Sequence, residues 1–446
     1  MKQLLIAINN RILLRFLVYV FLLSSVLVAC KKDDEPFEED NGASQYSSEL
    51  VTAWIDMQLR IVRTTAIAPP LHHPRFAAYS GIALYEAIVP GMPGYQSLAG
   101  QLNGMPSMPS ANPSTHHWAI SANAALASMN RNFYPNTSAE NKASMDSLEN
   151  ALNDLYKNDV TAEIFQQSSD FGKAVAQLVF DWSKTDGSLN TNPPYVPPVG
   201  AGLWAPTPPA FANAVGPYWG NNRLFVQGSL NGSAPSPPPV YSTDPNSPYY
   251  AMVKEVYDIS QSLTPEQQAI AIYYRDSPGY GGGAHYMSIL MQIIKNKNLK
   301  LDEAAIAYAK TGIALTDAII GCWKVKYQYN VDRPIKYIRE VMNYPAWNAV
   351  FGTPPHPDFP SGHSAAGGAV EVIFSNLFGA NYSFTNHTYD YLGMAPRTYS
   401  SFANMVEEIG KSRVYAGIHY TYSCDQARQE GKKIAQNIES KLKFKK

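Results

Sequence analysis

Cysteine is scarce. Cys30, Cys322 and Cys424 are the only three in 446 residues, too few for a disulfide framework, so the fold must rest on a hydrophobic core. Charge of one sign is also lacking: 35 Lys and Arg stand against 36 Asp and Glu, a net of −1. No long basic stripe appears, which leaves no electrostatic case for nucleic-acid binding. Beyond the N-terminal segment no long apolar span is read, which argues against an integral membrane protein. Strand-like alternation and repeats of fixed period are missing too.

What is present is helical periodicity. Leu50, Trp54, Met57 and Ile61 make one apolar face from about residue 47. Further helices are expected over 75–89, 116–133, 139–155, 162–182, 250–263, 285–295, 302–329 and 425–443, with Thr264-Pro265 as an N-cap followed by Pro at N1. The expected fold is all-α: stacked helical bundles, two four-helix-bundle-like lobes, with long Pro/Gly-rich loops. Residues 187–247 are rich in Pro and Gly but carry Trp204, Trp219 and several Tyr. That is too aromatic for a free linker; the segment reads as an ordered excursion over the helical body, either a surface wrap or part of a funnel. His72-His73 and His116-His117 are adjacent pairs without ligand spacing, and read as loop or cap residues rather than a metal site.

The N-terminus reads as a targeting segment. Lys2, Arg11 and Arg15 precede an apolar stretch from Phe16 to Ala29, which ends Leu-Val-Ala-Cys30. This resembles a bacterial lipobox. The resemblance implies a signal peptide over 1–29, a lipid on Cys30, a flexible tether over 30–46, and one helical domain over 47–446. Within that domain, 47–250 forms an N-terminal half and 251–446 a C-terminal half. An exported lipoprotein follows, in the periplasm or on the outer membrane or cell surface, reaching the membrane only through its lipid. Cys322 and Cys424 flank the chemistry-bearing residues and are either a disulfide or two buried thiols.

Those residues form one spaced set: Lys326, Arg333-Pro334, Pro360-Ser361-Gly362-His363, and Ser412-Arg413 with His419. Two guanidinium forks and an ammonium suit a tetrahedral oxyanion. Ser361 is a good N-cap, so Gly362 and His363 would open a helix whose positive end is an anion site. Ser412 and His419, seven apart, are expected on one helical stripe running from about 402 to 422.

This set resembles the signature of the vanadium-dependent haloperoxidases and the related acid phosphatases. The resemblance implies that His419 bonds to vanadium, that Lys326, Arg333, Ser361, Gly362 and Arg413 hold the oxygens of one vanadate, and that His363 is the acid–base group. It implies hydrogen peroxide, a halide and small organic acceptors as partners. Trp323 resembles the Trp of fungal chloroperoxidases and of bacterial iodoperoxidases, whereas His356 resembles the His of algal bromoperoxidases. Iodide is the expected halide, as the easiest to oxidise, with bromide next. Two alternatives stand: an acid phosphatase using His419 as nucleophile, and a non-catalytic surface-binding lipoprotein.

Overall fold

The structure, a computed structural model, describes residues 42–446 apart from 66–69, 277–279 and 282. The signal-peptide reading, Cys30 and most of the tether lie outside the described residues, as does part of the glycine-rich loop after Asp276.

Thirteen α-helices occur among the described residues. The N-terminal set is α1 (Glu49–Thr64), α2 (His72–Glu86), α3 (Trp118–Phe133), α4 (Ala139–Tyr156) and α5 (Ala162–Ser183). After the Pro-rich excursion come α6 (Pro248–Gln261), α7 (Pro265–Tyr273), α8 (Ala284–Lys297), α9 (Leu301–Tyr329) and α10 (Pro334–Glu340). The chain closes with α11 (Gly362–Phe378), α12 (Phe402–Tyr415) and α13 (Thr421–Lys441). Thr264 caps α7 in a full capping box with Gln267, as its sequence predicts. His117 is an N-cap, its ring nitrogen accepting from Ile120 N–H. The adjacent histidines are thus structural here.

Helix α9 is the axis of the molecule. It packs on α2, α1 and α8 and on α11 and α13, so it joins the helices of the N-terminal half to those of the C-terminal half. Its composition alone would let it cross a membrane, a feature the sequence reading passed over. However, 89% of its most apolar window is buried inside the protein, and a helix apolar all round is what a central position requires. Close approach makes the crossings: a Cβ on Gly312 would lie 2.5 Å from Ala78 Cα. Likewise Gly431 of α13 meets the Ala365 carbonyl of α11, where no side chain fits. That second crossing sets the start of α11 against the middle of α13, and Ser361 N–H donates to the Ser423 carbonyl at the start of α13.

Two elements escaped the sequence. The hairpin β1 (Phe384–Asn386) with β2 (Arg397–Tyr399) is antiparallel and three residues per strand, too short to show an alternating pattern. Helix α10 is only seven residues long. The expected helix over 402–422 is a correction. Helix α12 stops at Tyr415, Gly417 takes φ 75°, and α13 starts at Thr421. The left-handed turn at Gly417 breaks the helix.

The excursion is ordered and reaches the centre. Buried Asp317 of α9 accepts from the backbone N–H groups of Phe225 and Val226 at 2.8 and 3.1 Å. Trp323 Nε1 and Tyr327 hydroxyl both donate to the Val215 carbonyl.

Candidate functional site

The end of α9 supplies the first groups. Lys326 is wholly buried, and its ammonium donates to the carbonyls of Pro357, Asp358 and Pro360. Its three protons are therefore committed to the loop before α11, and it does not line the central cavity. Burial lowers its pKa to about 8. The expectation that Lys326 touches an oxyanion directly is thus not met in this geometry; the ammonium contributes charge and pins the loop.

Arg333, at the N-terminus of α10, clips two loops together. Its Nε donates to the His356 carbonyl at 2.8 Å and its Nη1 to the Ile418 carbonyl at 2.6 Å. Nη1 also lies 3.2 Å from His419 Nε2, and Nη2 lies 3.0 Å from His356 Nδ1. Burial lowers its pKa to about 10, leaving it cationic.

His419 is on the turn between α12 and α13, not on a stripe with Ser412. Ser412 is buried and its hydroxyl donates to the Ile409 carbonyl, inside its own helix. Asp358 lies beside the ring of His419, its Oδ1 2.9 Å from Nδ1, a charge contact without hydrogen-bond alignment, since that oxygen is buried without a hydrogen-bond partner. The other Asp358 oxygen accepts from the Ser423 hydroxyl. Burial, then Arg333, Lys326 and Arg413, depress the His419 pKa well below the usual range, so the imidazole is neutral. With the proton on Nδ1 toward Asp358, Nε2 carries the lone pair and faces the Arg333 Nη1 N–H at 3.2 Å; it ligates a metal only by giving up that contact. Asp358 was not singled out in the sequence. Its place next to the Phe-Pro-Ser-Gly-His run was the available signal. Burial pushes Asp358 up to about 7, against the pull of Arg333.

Helix α11 begins beside this group. Ser361 caps it by accepting from Ser364 N–H, and is fully buried, its hydroxyl also 3.2 Å from that of Ser364. Gly362 and His363 line the cavity, where the first N–H groups of the helix have no intrahelical acceptor. A Cβ on Gly362 would come 2.9 Å from the Trp323 ring, so glycine is what lets Trp323 close over the helix end.

His363 Nε2 lies 3.0 Å from Asp276 Oδ1. Burial and then Arg413 lower the His363 pKa, with Asp276 opposing. Burial alone would raise Asp276, but His363 and Arg413 outweigh it and hold it low. The side chains keep 26% and 42% of their exposure, so solvent damps both shifts. Arg413 is buried; one N–H donates to the Tyr274 carbonyl, and its Nε has no partner.

The cavity these groups enclose measures about 470 Å³ and is lined by Arg413, His419, His363, Gly362, His356 and Trp323, among others. The Trp323 and His356 rings lie 5.2 Å apart, so both predicted specificity residues face one space. Val215 of the excursion lines it too. Arg275 and Thr353 also line it, and nothing in the sequence pattern marked them. Cys322 and Cys424 are both free and buried, which settles the open alternative in favour of thiols.

A family profile described as "VCPO second helical-bundle domain" matches residues 307–444. The structure resembles that of a bacterial vanadium-dependent iodoperoxidase, with 30% identity, a TM-score of 0.81, and coverage of 90% of this chain and 97% of that one. Apo and holo structures of a bacterial vanadium-dependent chloroperoxidase match at 16% identity with TM-scores of 0.61 and 0.63, covering 85% of this chain and 96% and 94% of theirs, a likeness of fold. No curated protein matches the sequence. Nearly the full length of the iodoperoxidase is matched at an identity that carries more than fold, and the chain belongs to the vanadium-dependent haloperoxidases.

Proposed function

We propose that the chain holds one vanadate and oxidises halide with hydrogen peroxide, iodide in preference to bromide. The reaction takes halide, peroxide and one proton to a hypohalous acid and water; the product halogenates small organic acceptors. One observation carries this reading. His419 lines a cavity with Asp358 Oδ1 2.9 Å from its Nδ1, and the buried Nε of Arg413 on the same cavity has no partner. An unpaired buried guanidinium N–H is costly unless an anion completes it. The residues therefore fit the group. His419 would ligate the metal, and Arg333, Arg413 and the Gly362 N–H would hold its oxygens. Ser361 would join them only by turning its hydroxyl from its cap position, and Lys326 acts through charge.

Bound vanadate supplies a Lewis-acid centre that activates peroxide toward halide. The protein's part is proton handling and electrostatics. With Nε2–H on Asp276, neutral His363 has Nδ1 free to take a proton, and Asp276 stabilises the imidazolium that results. Arg333 and Arg413 offset negative charge that develops at the floor.

The halide preference rests on the pairing of Trp323 with His356 and on the ease of oxidising iodide. The iodoperoxidase likeness agrees with it. The test is to dialyse the purified chain against orthovanadate and remove the excess. Retained vanadium, triiodide and tribromide formation, and phosphate-ester cleavage are then measured. About one vanadium per chain with iodide fastest is expected. Failure to retain vanadium, or ester cleavage outrunning halide oxidation, overturns the reading. We also place the chain outside the cytoplasm, anchored through Cys30, on its N-terminal pattern alone. Mass spectrometry finding no lipid on Cys30 in the native host would overturn that.

A further inference from the structure

The cavity is roomier than a tetrahedral anion requires. Its volume of about 470 Å³ falls within the ~300–1,000 Å³ of small-molecule sites. Away from the floor its wall is apolar, with Leu71, Val215, Ile319, Phe351 and Pro355. Two polar groups interrupt that wall. Arg275, on the loop after α7, makes no side-chain hydrogen bond or ion pair among the described residues, and its Nε is buried without a partner. Thr353 Oγ1 is buried and equally unpartnered. Lys326 is engaged by three carbonyls and Arg333 by the His356 and Ile418 carbonyls, while Arg413 donates to the Tyr274 carbonyl and keeps its unpartnered Nε for the oxyanion. Asp276, adjacent in sequence to Arg275, is taken by His363.

A guanidinium and a hydroxyl that lack partners and line one cavity offer donors to a group with two acceptor oxygens. We propose that Arg275 and Thr353 anchor the carboxylate of a small aromatic acceptor whose ring lies against the apolar wall near Phe351. This names the acceptor class of the same site and rests on the haloperoxidase reading for its role in turnover. Halogenation by a diffusing hypohalous acid needs no such anchor. A bound aromatic acid would instead meet the oxidised halide inside the cavity where it forms. A fork-shaped donor set favours a carboxylate over a spherical halide, and an electron-rich ring suits an electrophilic halogen.

The test compares 3-(4-hydroxyphenyl)propionate with its methyl ester by calorimetric titration in halide-free buffer with orthovanadate present. Wild type, R275Q, R275K and T353V are used, each checked for unchanged Tm. The acid should bind wild type better than the ester does. R275Q should weaken the acid by roughly tenfold or more while shifting the ester little; R275K should recover part of the loss, and T353V should lie between. The proposal is overturned if the acid-to-ester ratio is the same in R275Q as in wild type. It is also overturned if iodide displaces the acid in competition and itself requires Arg275, which would make this a halide site. The ratio is read on binding alone. A chain that retains no vanadium would sink the haloperoxidase reading while leaving the anchor tested.

Discussion

Replacing Asp358 with asparagine removes the charge that orients His419 and leaves the shape nearly unchanged. Asp358 Oδ1 lies 2.9 Å from His419 Nδ1 and 4.0 Å from Arg333 Nη1. At an effective dielectric near 20, the Arg333 attraction alone is about 4 kcal/mol in gross terms, but desolvation of a wholly buried pair offsets most of it. What survives for ligation is the orientation and basicity of the imidazole. Carboxylate partners of metal-ligating histidines are typically worth roughly 10–100-fold in metal affinity, or about 1.4–2.7 kcal/mol. Asparagine keeps the shape and loses only the charge, and Asp358 Oδ1 is not aligned as an acceptor, so the loss should sit toward the lower end. The assay is orthovanadate titration at pH 8, with retained vanadium counted after gel filtration and His419→Ala as the zero. If D358N binds within twofold of wild type, with unchanged Tm and far-UV spectrum, the assignment of Asp358 as the orienting group is wrong.

His363→Ala should retain vanadium yet lose roughly 100-fold or more in turnover near neutral pH; loss of the metal itself would move His363 into the binding set. Gly362→Ala would drive a methyl toward Trp323, and should lower stability by about 1–3 kcal/mol, read by denaturant unfolding, with iodide turnover falling alongside. His356→Phe removes an acceptor from Arg333 Nη2 and opens the face toward Trp323; the bromide-to-iodide rate ratio should shift, and an unchanged ratio would clear His356 of any part in halide choice. Glu430 supplies a pH test. Burial pushes its pKa up to about 8 from 4.5, and its Oε2 has no partner. The folded chain therefore binds more protons than the unfolded one between those values. The stability of the neutral form is intact below about pH 4.5 and is lost as pH rises through 8. Glu430→Gln should raise Tm more at pH 8.5 than at pH 5, and equal shifts at both would refute the titration argument.

Much of the fold was legible because its helices are long and amphipathic, and their caps are written in the sequence. Thr264-Pro265 marked a real start, and Ser361 marked another. The hairpin at 384–399 and the short helix α10 were lost because three to seven residues carry too little period to detect. The site was legible as a list of residues but not as an arrangement. Spacing placed Ser412 and His419 on one face, and a single left-handed glycine at 417 undid that. Periodicity assumes that the helix continues, and only the backbone reports where it stops. Asp358, Arg275 and Thr353 were missed for a different reason. Asp358 had only its place beside the Phe-Pro-Ser-Gly-His run to mark it, and what marks Arg275 and Thr353 is the want of a partner, which is not a property of sequence.

The distribution of partners within the pocket also separates scaffold from chemistry. Lys326 spends every proton on three loop carbonyls, and Arg333 ties the loop of His356 to the turn of Ile418. Lys326 is a fastener that leaves only its charge near the cavity, while Arg333 ties its loops and still sets Nη1 3.2 Å from His419 Nε2. Arg413 and Arg275 each keep a buried Nε without a partner. Burying so many cations beside few carboxylates, Asp358, Asp276 and Glu430 among the described residues, is unfavourable until an anion arrives. The pocket is thus built strained toward positive charge. A tightly bound oxyanion should therefore stabilise the fold as well as complete the site, and the gain should grow with RT ln(1 + [L]/Kd). A thermal scan across orthovanadate concentrations that showed no rise in Tm would contradict that charge imbalance, whatever the activity assays returned.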